Sequence, residues 1–392
     1  MREVLYLYMY LLWNLVPERG LFFSSRKGSD RLNYEKLMRE CFSLARKGAG
    51  KVLTNPMVGA VLVKDGKIIS KGYHHGFGLD HAEIDCFKNS KESAEGATMV
   101  VNLEPCSHFG KNPPCVDEVI RQKVKRVVIS NLDTNPKVDS IKKMEDAGIE
   151  VITGVLEEEG KLLNEKFFFN MKYNRPLVAL KYAMSLDGKI ATKDYDSKWI
   201  SGEKSRNFVH KLRNDYDAIL IGKNTLIKDN AKLNCRIDGG VDPVRVIVAN
   251  DLNFDKNLEI FNLKSDKETI IATTSDKNPD INAKIIRCNN QNGQVDLNDL
   301  VDKLYKMNIS SILVEGGSMI NTSFLENDLV DKIYEFIAPI VVGGKNSRSA
   351  FMGEGVSEIK DAKKFEINNN QRFGKDIMLE VNNVYRNINW IR

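Results

Sequence analysis

The sequence predicts an α/β protein made of two unlike domains joined near residue 175. Three observations lead there. The chain has 392 residues, enough for two domains at roughly 150 residues each. Short apolar strands alternate with amphipathic helices along both halves, the rhythm of layered α/β folds. A charged helical stretch runs up to Arg175-Pro176, and beyond it the rhythm resumes without any repeat of sequence.

The elements follow in order. Residues 1–30 hold an apolar, aromatic run (MREVLYLYMYLLWNLV) and then polar residues, without the basic start and small-residue cleavage site of a signal peptide. They are expected to be an extension outside the fold. From Tyr34, the residues Leu37, Met38, Cys41, Phe42 and Ala45 share one helical face, and Gly48 and Gly50 end it. Met57 to Val63 is a strand, Asp65-Gly66 a two-residue hairpin turn and Lys67 to Ser70 the return. A helix starts at His81, a strand covers Thr98 to Leu103, a helix Cys115 to Gln122, and a strand Arg126 to Ser130. A helix closes at Met144 to Gly148 before the strand Glu150 to Thr153, and one charged helix spans Leu156 to Asn170. In the second half, strands are predicted at Leu177–Ala183, Ala218–Ile221, Val244–Ala249, Thr269–Thr273, Ser311–Val314 and Ile333–Ile337. Helices are predicted at Glu203–Arg213, Leu297–Lys306 and Met319–Glu326.

Composition narrows the function. With 42% hydrophobic and 28% charged residues the chain is ordinary globular material. A net charge of +5 over this length does not mark a nucleic-acid binder. No apolar run reaches the roughly 18 residues of a membrane span. Six cysteines are too few for a disulfide framework and indicate a reducing, cytoplasmic setting, where paired cysteines mean metal or catalysis.

The chemistry concentrates in His81-Ala82-Glu83, Glu104-Pro105-Cys106 and Pro114-Cys115. One imidazole and two thiolates are the ligand count of a catalytic zinc site that leaves its fourth position to water. Such water becomes a nucleophile near neutral pH. A carboxylate two residues after the histidine can move its proton to a leaving amine without being a ligand itself. Both cysteines are expected to precede or begin a helix, where free N–H groups favour thiolate. The pattern departs from the H-x-E…P-C-x-x-C signature of zinc nucleobase deaminases, because eight residues separate the cysteines. That loop, Ser107 to Pro114, brings a histidine, a lysine and an asparagine, and suggests a polar or phosphorylated substrate. A closed structural zinc would want a fourth ligand, and only His108 is on offer. Asn55 and His74 are candidate pocket residues; His75 fits a surface loop.

Residues 55–74 (NPMVGAVLVKDGKIISKGYH), 81–83 (HAE) and 102–115 (NLEPCSHFGKNPPC) resemble the bifunctional deaminase/reductase family of riboflavin biosynthesis. The resemblance implies a cytidine-deaminase-like α/β/α domain over 31–175 with Zn2+ on His81, Cys106 and Cys115 and Glu83 as proton shuttle. Asn102 stands where the family suggests threonine.

The second half has no G-x-G-x-x-G after a strand, so a Rossmann crevice is not indicated. Leu313 to Ser318 is instead a strand running through glycines into a helix, whose first N–H groups suit an anion. Gly343-Gly344-Lys345 fits a plain turn. Residues 175–191 (RPLVALKYAMSLDGKIA), 197–201 (SKWIS) and 311–323 are similar to the reductase domain of the same family. That likeness implies a dihydrofolate-reductase-like domain over 176–392 with NADPH as hydride donor. Carried over by position, cofactor contacts fall on Ala183, Trp199, Thr225, Asp229, Gly317, Ser318, Met319, Ile320, Asn321, Thr322 and Ser323. Substrate contacts fall on Ser197, Arg213, Leu233, Arg236 and Glu315, with Asn55 and His74 serving the first site. Arg213 and Arg236 suit a phosphate, since a guanidinium offers a fork of donors; on their own they also fit a solvated helix face and a loop. Asn230, Ala231 and Asn250 depart from the aspartate, proline and serine that the family suggests.

The function implied is deamination of a phosphoribosylated diaminopyrimidine followed by reduction of its ribosyl group, in a homodimer or homotetramer with no nucleic-acid or membrane partner. A polynucleotide base deaminase would want a basic, aromatic groove around the metal, and a metal-stabilised binding protein without turnover would not need Glu83.

Overall fold

The computed structural model describes residues 28–107, 113–134 and 138–384; most of the predicted extension, and His108 with the rest of 108–112, lie outside them. In the first domain, α1 (Gly28–Ala45) precedes the hairpin β1 (Gly59–Lys64) and β2 (Lys67–Tyr73). Then come α2 (Ala82–Lys88), β3 (Thr98–Leu103), α3 (Cys115–Arg121), β4 (Arg126–Asn131), α4 (Ser140–Asp146) and β5 (Glu150–Ile152). The sheet order is β2-β1-β3-β4-β5, with β1 antiparallel to both neighbours and β3, β4 and β5 parallel.

Successive strand residues point to opposite faces, and here both faces are covered. Val61, Val100 and Val128 meet Met38, Cys41 and Phe42 of α1. Their neighbours Ala60, Leu62, Met99, Val101, Val127 and Ile129 meet Ala82, Cys86, Val116 and Val119 of α2 and α3. The predicted hairpin turn is present: Lys64 pairs with Lys67, and Asp65 and Gly66 have φ of 50° and 75°, as a type I′ turn requires.

The predicted single helix 156–170 is two helices, α5 (Glu157–Leu163) and α6 (Glu165–Tyr173). The break is Asn164, whose amide accepts the Met57 N–H at 2.8 Å and donates to the Met57 carbonyl at 2.9 Å.

The second domain runs β6 (Leu177–Ser185), β7 (Lys189–Ala191), α7 (Glu203–Asp215), β8 (Ala218–Gly222), α8 (Lys223–Asp229) and β9 (Val244–Val248). It continues with β10 (Thr269–Thr273), β11 (Lys284–Arg287), the short β12 (Asn290–Gln291) and β13 (Gln294–Val295), and α9 (Leu297–Lys306). Last come β14 (Ser311–Val314), α10 (Ser318–Glu326), β15 (Lys332–Ala338), β16 (Arg348–Ser349), β17 (Phe365–Phe373) and β18 (Asp376–Asn383). Nine strands form one sheet in the order β11-β10-β9-β8-β14-β6-β15-β18-β17. Its strands are parallel as far as β15, and β18 and β17 join antiparallel. The chain moves outward from β8 to β11 and returns to insert β14 between β8 and β6. Ile312 and Val314 face the core under α9 and α10, while Leu313 faces the core under α7. The sequence did not indicate α8, β7, β11 to β13, or β16 to β18.

Candidate active sites

The first site lies where α2, α3 and the end of β3 converge. His81 is the extended residue that precedes α2, and Glu83 is buried in that helix's first turn. Cys115 opens α3. Cys106 does not begin a helix, contrary to expectation; it sits in the loop after β3. It is nevertheless served by a helix start, because the Cys115 N–H points at its sulfur at 3.3 Å and its carbonyl accepts the Val116 N–H at 3.1 Å.

His81 Nδ1 lies 3.5 Å from Cys106 Sγ and 3.2 Å from Cys115 Sγ, and the three donor atoms all fall within 4.8 Å of one another. Two sulfurs and one imidazole nitrogen converging on a point fit a zinc ion with one position left open. The electrostatics agree. Hydrogen bonding from Cys115 pushes the Cys106 thiol down to about 4 against burial, and hydrogen bonding to Cys106 raises His81 to about 9. Thiolate character thus draws positive charge into the space between the donors. Burial pushes Glu83 up to about 7, and its carboxyl hydrogen-bonds with Cys115 at the edge of the cluster.

Asn55 and His74 meet at this site. His74 Nδ1 lies 2.9 Å from the Asp80 carbonyl, which can only accept, so that nitrogen carries the proton. Its Nε2 then accepts from Asn55 Nδ2 at 3.1 Å, and its ring packs edge-on to His81 at 5.5 Å. His75 instead stacks on Tyr73 at 3.8 Å and faces Asp85. Asn102 turns its amide away from the metal ligands, accepting the Gly59 N–H at 2.7 Å and donating to the Met57 carbonyl at 3.0 Å. Glu104, named in its segment but given no role from sequence, anchors the loop that carries Cys106 by accepting the Ser140 hydroxyl at 2.7 Å and the Asp133 N–H at 3.1 Å.

The second site is a cleft of about 1440 Å³ at the carboxyl ends of β6, β8, β9 and β14, where open α/β sheets bind their ligands. Ala183, Ser197, Trp199, Thr225, Asp229, Leu233, Arg213, Arg236 and Glu315 all line it, as do Gly317, Ser318, Met319 and Ile320. Asn321, Thr322 and Ser323 do not line its wall. Asn321 donates to the Ala350 carbonyl at 3.1 Å, Thr322 accepts the Met352 N–H at 2.8 Å, and Ser323 bonds back to Met319. The helical turn itself carries them away, since only the first residues of α10 face the strand ends. The turns after β8 and β14 are knit together by the Gly317 N–H on Thr225 Oγ1 at 2.9 Å and the Gly222 N–H on the Gly316 carbonyl at 3.1 Å. Trp199 is 68% exposed, with the Arg206 guanidinium 4.5 Å over its ring. Gly343 belongs to a turn held by Asp187, which accepts the Val342 and Gly343 N–H groups.

Arg213 does not present a free fork to a phosphate. Its Nε and Nη2 grip Glu315 at 2.8 and 2.9 Å, and Nη1 faces the Asn234 carbonyl at 3.2 Å. Lys181 adds a second cation at 3.0 Å. Burial alone would raise the Glu315 pKa, yet Arg213 and Lys181 hold it well below the usual carboxylate range. Asn230 takes φ of 43° at the end of α8 and accepts the Glu259 N–H at 3.0 Å, a left-handed cap that asparagine tolerates well. Ala231 packs against the core, and Asn250 lines the cleft while donating to the Gly293 carbonyl at 2.7 Å. Sequence reasoning missed Lys181 and His210, both on the cleft wall. Lys181 was signalled by a charge inside the apolar run LVALKYA, and His210 by its place one turn before Arg213.

Comparison with known proteins agrees with the division into two domains. Residues 32–131 match the cytidine and deoxycytidylate deaminase zinc-binding region, and residues 176–379 match the RibD C-terminal domain. The riboflavin biosynthesis protein RibD of Actinobacillus pleuropneumoniae is 40% identical over 351 residues, covering 88% of this chain and 93% of its own. That of Aquifex aeolicus is 39% identical over 357 residues, covering 88% and 97%. The crystal structure of a diaminohydroxyphosphoribosylaminopyrimidine deaminase/5-amino-6-(5-phosphoribosylamino)uracil reductase from Thermotoga maritima superposes with a TM-score of 0.82 at 38% identity, covering 90% of this chain and 99% of that one.

Proposed function

The chain belongs to the RibD family of bifunctional deaminase/reductases, and from that premise we propose how its two sites divide the work. It is an enzyme of riboflavin biosynthesis that acts on a pyrimidine intermediate. The first site replaces the 2-amino group of 2,5-diamino-6-(5-phosphoribosylamino)pyrimidin-4(3H)-one with oxygen from water and releases ammonia. The second reduces the ribosyl group of the product to ribityl. The observation that carries the reading is the convergence of His81, Cys106 and Cys115 beside a buried carboxyl, in a chain that also holds a large cleft at parallel strand ends.

Zinc on His81, Cys106 and Cys115 would lower the pKa of a water molecule enough to make it a nucleophile. Glu83 is the proton carrier: its carboxylate accepts the proton of the attacking water and delivers it to the departing amine. Asn55 and His74 orient the ring, with His74 also packing His81 in place. In the second site NADPH would supply the hydride. Met319, Ile320 and Trp199 offer apolar contact to it, and Glu315, held ionised by Arg213 and Lys181, accepts hydrogen bonds from the sugar hydroxyls.

Among the described residues no helix is long and apolar enough to cross a membrane, and none of the six cysteines is in a disulfide. We take the protein to work in the cytoplasm as a homodimer or homotetramer. The test is Glu83→Gln in the full chain. Ammonia release falls by roughly a hundred-fold or more, zinc content stays near that of wild type, and NADPH oxidation with the already deaminated compound is unchanged. Chelation of the metal gives the same split. Ammonia release that survives both treatments refutes the first-site assignment, and absence of NADPH oxidation with the deaminated compound refutes the second.

A further inference from the structure

We propose that Tyr195 is a latch across the mouth of the second cleft, so that the dinucleotide enters and leaves only when its ring lets go. The proposal rests on the reductase reading above, since it takes NADPH as the occupant of that cleft.

Tyr195 lies in the segment between β7 and α7 that also carries Ser197 and Trp199, and all three line the cleft. The segment leaves β7 through a tight turn. The Tyr195 N–H donates to the Thr192 carbonyl at 3.0 Å, and the Asp196 N–H to Thr192 Oγ1 at 3.1 Å. In that turn Tyr195 takes φ of 67°, a left-handed conformation uncommon for a bulky side chain. Such a conformation persists only where other contacts hold it, and here the ring supplies them. Although the residue is 47% exposed, two cations grip it. The Lys228 ammonium lies over the ring. The Arg348 guanidinium lies 4.5 Å from the ring centre and donates a hydrogen bond to the phenol oxygen. Neither cation has an ion-pair partner among the described residues, so the ring is where each is engaged.

The two cations belong to opposite rims. Lys228 is on α8, which follows β8, whereas Arg348 is on β16, which pairs with β7 beyond the ends of β15 and β6. The sheet runs β8-β14-β6-β15, so a contact joining the two crosses the line of β14. With strands about 4.8 Å apart, that is a span of roughly 10–14 Å. It crosses where Gly317, Ser318 and Met319 form the cleft wall after β14.

The anchor on β16 is fixed, because the Ser318 hydroxyl and the Asn321 amide of α10 hold the Ser349 and Ala350 carbonyls at 2.6 and 3.1 Å. What gives is Tyr195, held through its ring and strained along its backbone. Two cations and one charge-assisted hydrogen bond, set against that strain, favour the closed form by about ten-fold. The same contacts close the latch over the empty and the filled cleft. It therefore slows binding and release by the same factor and leaves affinity nearly unchanged.

Stopped-flow mixing of the full chain with NADPH tests this, read by energy transfer from Trp199, the one of the three tryptophans placed on the cleft wall. Tyr195→Gly removes the ring, while glycine keeps the left-handed turn without steric cost. Lys228→Met leaves Tyr195 in place and removes the anchor on the far rim. In both variants the association and dissociation rate constants should rise together, by about ten-fold for Tyr195→Gly and about three-fold or more for Lys228→Met, with Kd within about two-fold of wild type. Tyr195→Phe, which keeps the ring and loses only the hydrogen bond, should fall between wild type and Tyr195→Gly. Ammonia release by each variant is the folding control. Unchanged rate constants in Tyr195→Gly or in Lys228→Met overturn the proposal. So does a rise in dissociation alone, which would make Tyr195 an ordinary contact of the cofactor. Wild type that binds no NADPH removes the reductase reading and the proposal with it, so the two failures give different results.

Discussion

Glu315 directly follows β14 with both carboxylate oxygens engaged, one side by Arg213 and the other by Arg213 and Lys181 together. Removing one member of such a buried cluster leaves the others uncompensated, so Glu315→Gln should lower stability by about 3–5 kcal/mol. The urea midpoint of the full chain measures it. The pH dependence follows from the depressed pKa. The contribution is complete above the unfolded carboxyl value of about 4.3 and is lost as the pH falls towards the lower folded value. The difference in midpoint between wild type and Glu315→Gln should therefore be constant from pH 5 to 7 and shrink below pH 4. Residue types and spacing made His81, Glu83, Cys106 and Cys115 legible, because metal-ligand chemistry needs those side chains in short segments. Arg213 could be named as a cation but not assigned a partner, since Glu315 lies 102 residues away along the chain.

At the scale of elements, two glycines decide how closely helices approach the first sheet. A Cβ on Gly59 would lie 2.2 Å from the Cys41 carbonyl oxygen of α1, and one on Gly72 2.2 Å from the Cys86 nitrogen of α2. Helix α2 carries Glu83 and is entered through His81, so pushing it off β2 displaces the metal site. Gly72→Ala should cost about 1–3 kcal/mol, the usual penalty of overpacking, and should lower zinc content per chain; thermal melting and metal analysis check the two effects. The hairpin at Asp65-Gly66 and the helices with a clear apolar stripe were readable because turn chemistry and periodicity are local. The break at Asn164 was not readable; the side-chain partner of that residue, Met57, is 107 residues distant. Nor were β17 and β18 readable: FEINNNQRF has the composition of a loop, and it becomes a strand only because β18 offers it a ladder of backbone partners.

At the scale of the whole molecule, α6 belongs to both halves. Phe168 packs into the core of the first sheet and its neighbour Phe169 into the core of the second. Glu165 of the same helix reaches Lys332 on β15 at 2.7 Å, and Glu380 on β18 closes the pair at 2.8 Å. Burial works against the Lys332 charge, but Glu165 and Glu380 outweigh it and raise its pKa. Lys332→Met leaves two carboxylates facing each other and should lower the unfolding midpoint by the equivalent of about 3–5 kcal/mol. Adding Glu165→Gln and Glu380→Gln should recover most of that loss, since uncharged groups no longer need the lysine. The sequence by itself determined the alternation of strands and helices, the hairpin and the His/Cys/Cys donor set, all set by periods, turn residues and donor chemistry within a few residues. Tertiary structure decided the rest: that β14 returns to lie between β8 and β6, that Arg213 is thereby given to Glu315 and not left for an anion, and that His210 reaches the cleft wall. Those outcomes depend on strand pairing between distant segments, whose hydrogen bonds are the same for any sequence, so only the packed molecule shows which pairing the side chains allow.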